Sequence, residues 1–146
     1  MKKLFTIITL SISLFANDII TKNSDFSVDE TIDNIKKIVK AKGFGVFATI
    51  NHQGNAKMVG MRLNESKVII FGNPKIGTLL MQEDMSIALD LPLRILVYQD
   101  NEGQVKVSYR DGSWIQDHHF LQSEHLTNKI NAGMNKITDK ARLKAK

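Results

Sequence analysis

The chain has 146 residues, 42% of them hydrophobic, with no cysteine and a formal net charge of +5 at pH 7. This is enough apolar material for one self-supporting domain, and it excludes disulfide frameworks, cysteine-ligated metals and lipid attachment through a cysteine. The positive charge does not describe a nucleic-acid-binding body: Lys2 and Lys3 open the chain, residues 124–146 carry six cations against Glu124 and Asp139, and the stretch between is close to neutral.

In chain order, Lys2 and Lys3 precede the apolar run Leu4–Ala16, which polar Asn17-Asp18 closes. The run is shorter than the roughly 20 apolar residues of a spanning helix. It predicts a signal peptide over 1–16, a single α+β domain over 17–146 with a basic C-terminal helix or tail, and no stable membrane span after cleavage. Export without disulfides fits a periplasmic or secreted bacterial protein.

A short strand is predicted near Ile19–Asn23. Ser27 and Glu30 form a Ser-x-x-Glu capping box, Ile32, Ile35 and Val39 recur on one helical face, and Gly43 suits the residue after the helix. Phe44–Ile50 reads as a strand apolar on both faces, which predicts a central position. Asn55–Val59 reads as one helical turn and Met61–Leu63 as a weak strand. Lys67–Gly72 is a further strand, and Asn73-Pro74 is a helix start that carries Leu79, Leu80 and Met81 into the core. Leu93–Gln99 and Gln104–Arg110 form a hairpin across Asp100-Asn101-Glu102-Gly103, the second strand with one wet face. Asp111–Leu121 reads as a short helix, and Leu126, Ile130, Met134 and Ile137 mark a longer C-terminal one. Together these predict class α+β: an antiparallel or mixed sheet of about four to five strands covered by helices.

The landmarks Ser27-Val28-Asp29-Glu30-Thr31-Ile32, Gly43-Phe44, Phe71-Gly72-Asn73-Pro74-Lys75, Gly77-Thr78 and Leu89-Asp90-Leu91-Pro92-Leu93 stand in a characteristic order. In them the chain resembles the bacterial domain-of-unknown-function family number 302, over about residues 18–122. The resemblance implies a small α+β domain behind a signal peptide and supplies no activity. Two departures stand out: Asn51 where the family often has Asp before His52, and Phe120 where a Gly is common.

Candidate ligand-binding residues are His52, Asn73, Lys75, Thr78 and Arg94. A strand running into the helix at Asn73-Pro74 presents backbone N–H groups, to which Asn73, Lys75 and Thr78 add polar contacts for an anion. The competing structural reading is a cap, a helix start and a packing glycine. His52 ends a strand, where an imidazole serves as ligand, base or turn cap. Arg94 enters an apolar strand and calls for a partner, either a ligand or Asp90 or Asp84. His118, His119 and His125 lack the i, i+4 pairing of metal sites, and Met58, Met61, Met81 and Met85 read first as core filler, so no metal ligand is assigned. With a single tryptophan, Trp114, no aromatic platform accompanies the basic tail, and no nucleic-acid partner is expected. The leading expectation is a domain binding a small anionic or amphipathic ligand. Copper or zinc binding, a His52-dependent enzyme and a module that forms a homodimer are the alternatives.

Overall fold

Five segments of β-forming composition pair into one sheet, and amphipathic helices cover one of its faces. The structure, a computed structural model, describes residues 19–145. The signal expected over 1–16 lies outside the described residues. The elements are β1 (Ile20–Asn23), α1 (Val28–Ala41), β2 (Gly45–Asn51), α2 (His52–Met58), β3 (Ser66–Gly72), α3 (Pro74–Glu83), a 3-10 turn (Met85–Leu89), β4 (Leu93–Gln99), β5 (Val105–Tyr109), α4 (Gly112–His118) and α5 (Glu124–Arg142). The strand order is β1-β5-β4-β3-β2, antiparallel throughout. The fold class is α+β with a C-terminal helix.

Helix α1 starts where its capping box predicts. The Ser27 hydroxyl accepts from Glu30 N–H at 3.2 Å, and the Glu30 carboxylate accepts from Ser27 N–H at 3.0 Å. Its buried stripe of Val28, Ile32, Ile35 and Val39 lies on the sheet. Gly43, at φ +76°, turns the chain into β2 in a left-handed conformation that a side chain would strain. Ile69 and Phe71 of β3, Ile95 and Val97 of β4, and Val107 and Tyr109 of β5 face the same layer and meet Ile130, Met134 and Ile137 of α5. Burying each such side chain contributes about 1.5–3 kcal/mol, which is why the helix stripes and strand faces find each other.

Three expectations are corrected. Strand β2 is an edge, not a central strand. Its apolar residues address both faces because of a bulge at Phe47: Val46 pairs with Phe71 on the helix side, and Ala48 pairs with Ile70 on the other. Strand β5 keeps its polar side on the uncovered face, where Lys106 is part-exposed and Ser108, its hydroxyl 2.8 Å from that of Thr21, is buried. Helix α2 runs from His52, and Met61–Leu63 form no strand. Of the three residues expected to carry α3 inward, Leu80 is buried but Leu79 is 43% exposed.

Candidate functional site

At the end of the sheet where β3 leaves for α3, the helix layer does not close. The gap is a cavity of about 330 Å³ between the ends of β3 and β4, helix α3, the segment Ala88–Pro92 and helix α5. Phe71 and Leu93 form its floor; Ile76, Leu80 and Met81 line it from α3; Ile130, Met134 and Ile137 line it from α5. Phe47, carried round by the bulge, lies at its mouth, with its ring near Gly72. Asn73, Thr78 and Lys129 are the polar side chains on this wall, and no carboxylate lines it.

Gly133 faces the same space. A Cβ built on it would meet nothing within 4 Å, in the middle of a 19-residue helix. Glycine there costs the helix about 1 kcal/mol relative to alanine, so the opening is not imposed by packing against Gly133.

The predicted site residues do not converge. Asn73 and Thr78 line the cavity, whereas Lys75 is exposed and lines no part of it. His52 is at the far end of the β2–β3 pair: Asn51 opposes Lys67, while Gly45 opposes Gly72. Antiparallel pairing therefore separates His52 from Asn73 by about 20 Å, the length of a seven-residue strand. His52 lies instead beside a broad recess on the other face of the sheet, with Lys57, Arg62, Tyr98 and Asp100. Asn51, found where the family often has Asp, caps α2 by accepting from Gly54 N–H at 2.8 Å. Arg94 pairs with Ile70, pointing away from the helix layer. It is exposed and donates to the Leu89 carbonyl at 3.3 Å.

The amides at the start of α3 are also largely occupied. Pro74 has no N–H, Asn73 Oδ1 accepts from Lys75 N–H at 2.9 Å, and the Asn73 carbonyl accepts from Gly77 N–H at 3.0 Å. The turn is capped in the ordinary way. What it offers the cavity is shape and two polar side chains, not a nest of free donors.

Of the carboxylates expected to partner Arg94, Asp90 is taken by His119, which follows α4, and Asp84 by Ser86 and Phe120. The Nε2 of His119 is 2.9 Å from Asp90 Oδ2, and its Nδ1 is 3.1 Å from the Ser86 hydroxyl and 3.6 Å from Asp84 Oδ2. Hydrogen bonds from the Ser86 hydroxyl, Phe120 N–H and Ser86 N–H hold the Asp84 carboxyl down at about 2. The Ser123 hydroxyl and Gln122 N–H likewise lower Glu83. These bonds fasten the 3-10 turn, and hence the Ala88–Pro92 wall, to the α4–α5 connection. His118 instead stacks on Trp114, with centroids 4.3 Å apart. Among the described residues no group of three or more His, Cys, Asp or Glu side chains is arranged to hold a metal ion.

The sequence profile of the family described as "Domain of unknown function DUF302" matches residues 20–141. The chain belongs to the DUF302 family. Among similar proteins, a "Fluoride-specific ion channel FluC 1" from Brucella suis biovar 1 is 38% identical over 109 residues, covering 75% of this chain and 43% of that protein. A protein of the same name from Brucella abortus biovar 1 matches to the same extent, with 40% of its length covered. The chain thus spans about two-fifths of the length of these relatives. No helix among the described residues is long and apolar enough to cross a membrane. Among solved structures, an uncharacterized conserved DUF302 protein from Bacillus stearothermophilus superposes with a TM-score of 0.69 at 20% identity, over 87% of this chain and 97% of that one. This likeness fixes the fold. The two segments that carry the family resemblance most specifically, Phe71-Gly72-Asn73-Pro74 and Leu89-Asp90-Leu91-Pro92, come together here: all of the first and the last two residues of the second line the cavity.

The residues that sequence reasoning missed are Phe47, Lys129 and Gly133. Only Gly133 left a signal, as a lone glycine inside an otherwise helical pattern.

Proposed function

We propose that this DUF302 chain is an exported domain that binds a small amphipathic ligand in the cavity between α3 and α5. The observation that carries the reading is the composition of the wall. About 330 Å³ of space is bounded almost wholly by Phe, Leu, Ile, Met and Pro side chains, with Asn73, Thr78 and Lys129 as its polar points. Such a cavity takes up apolar surface for its own sake and uses a few polar groups to orient the guest. This favours an amphipathic ligand over a small inorganic anion, which would lose more hydration than these few polar groups replace and leave the apolar wall uncovered. Export rests on Lys2, Lys3 and the apolar run Leu4–Ala16.

Two measurements test the reading. Native mass spectrometry of the protein released from the bacterial envelope is expected to show a chain cut near Ala16 and a small noncovalent adduct. A chain retaining Met1 in the cytoplasm would remove export. An adduct that survives when the cavity is filled, as in Gly133→Leu, would place the ligand elsewhere.

A further inference from the structure

Three relationships on the cavity wall narrow the ligand beyond "amphipathic". First, Lys129 is the single charged residue lining it, and no Asp or Glu lines it. Among the described residues Lys129 has no ion-pair partner. Second, Lys129, Ile130, Gly133, Met134 and Ile137 follow one another on one face of α5, so exposed Lys129 stands at one end of an apolar track that passes over the bare backbone of Gly133. Third, the free volume is about 330 Å³. A methylene takes about the liquid volume of a water, about 30 Å³, so the space is on the order of ten such groups.

Resting on the cavity reading above, we infer that the ligand is a medium-chain aliphatic carboxylate, its chain along Gly133 and its head group at Lys129. The apolar wall accepts the chain without discriminating between kinds of hydrocarbon, so the selectivity comes from charge. A cation with no counter-ion at the rim favours an anionic head over a neutral or cationic one of the same length. The gap at Gly133 sets chain length, because a side chain there would occupy the path. The mouth beside Phe47, which is 57% exposed, is the way in.

The test is calorimetric titration of the full chain with decanoate, 1-decanol and a series of carboxylates from six to sixteen carbons, on wild type, Lys129→Gln and Gly133→Leu. Decanoate is expected to bind wild type at least tenfold more tightly than decanol. Lys129→Gln is expected to bring decanoate to the level of decanol and leave decanol unchanged. Affinity should rise about fourfold per added methylene and level off near ten carbons, where the cavity is full. Gly133→Leu, checked for folding by circular dichroism and backed by Ala88→Leu as a second filler, should abolish binding of both probes. If decanol and decanoate bind equally and Lys129→Gln changes neither, the carboxylate assignment is overturned and the cavity reading stands. If neither probe binds wild type, or both bind the filled variants as well as wild type, the cavity reading falls, and the inference falls with it. A steady gain through sixteen carbons would overturn the length limit alone.

Discussion

His119 Nε2 lies 2.9 Å from Asp90 Oδ2, across 29 residues of chain, and this contact ties down the segment that carries Ala88, Leu91 and Pro92 of the cavity wall. The His119 side chain is 6% exposed, and its other nitrogen faces Ser86 and Asp84. Together with the bonds from Phe120 N–H to Asp84 and from Gln122 and Ser123 to Glu83, it anchors the 3-10 turn on the α4–α5 connection, and Ala88, Leu91 and Pro92 of the cavity wall follow from that anchoring.

Replacing His119 by Ala leaves the Asp90 carboxylate without its imidazole partner and the Ser86 hydroxyl without one of its contacts. We expect a loss of about 0.5–1.5 kcal/mol, the usual net contribution of a hydrogen bond whose partners keep some contact with water. Chemical denaturation measures it. Because Trp114 lies 6.4 Å from the His119 ring, the native fluorescence spectrum should shift as well. An unchanged midpoint and spectrum would mean that the turn holds without His119.

Asp84 gives the fold a specific acid dependence. Its carboxyl is held at about 2, below its ordinary value of 3.8, by bonds to the ionised form. A depressed folded-state value means stabilisation that is complete above the unfolded value and is lost as pH falls from about 4 toward about 2. Asp84→Asn should therefore be less stable than wild type at neutral pH, with the difference shrinking through that window. Melting curves from pH 7 to pH 2 would show it; a gap of constant size across the range contradicts the assignment.

Gly112, the first residue of α4, leaves no room for a side chain. A Cβ built there would lie 2.0 Å from the Thr127 carbonyl oxygen and 2.7 Å from its carbon, both backbone atoms of α5. Neither helix can relieve that overlap by a rotamer change, so Gly112→Ala should destabilise by about 1–3 kcal/mol. A melting temperature equal to that of wild type would show that α4 and α5 slide apart freely.

Gly133 predicts the opposite sign. Alanine there meets no atom and gains helix propensity, so Gly133→Ala should stabilise by up to about 1 kcal/mol while narrowing the cavity. Higher stability together with weaker ligand binding is the expected pair of results. Lower stability would mean that α5 needs glycine for a reason other than the space it leaves.

The sequence by itself determined the local elements. A capping box at Ser27, a Pro at the first position of α3, a Gly-closed hairpin loop and apolar residues at helical spacing in α5 are all decided by neighbours a few residues away. Chain order therefore carries them in full, and the landmarks Phe71-Gly72-Asn73-Pro74 and Leu89-Asp90-Leu91-Pro92 were enough for the family resemblance. Only the tertiary structure decided which residues share a site. Whether β2 is an edge depends on its partners, and a bulge at Phe47 made its apolar run look two-sided. Antiparallel register put His52 a strand's length from Asn73, and His119 claimed Asp90 while Ser86 and Phe120 claimed Asp84, the carboxylates that Arg94 was expected to need. Lys129 and Gly133 became neighbours of Asn73 only when α5 packed across the sheet, a contact between residues more than fifty positions apart that no local pattern encodes.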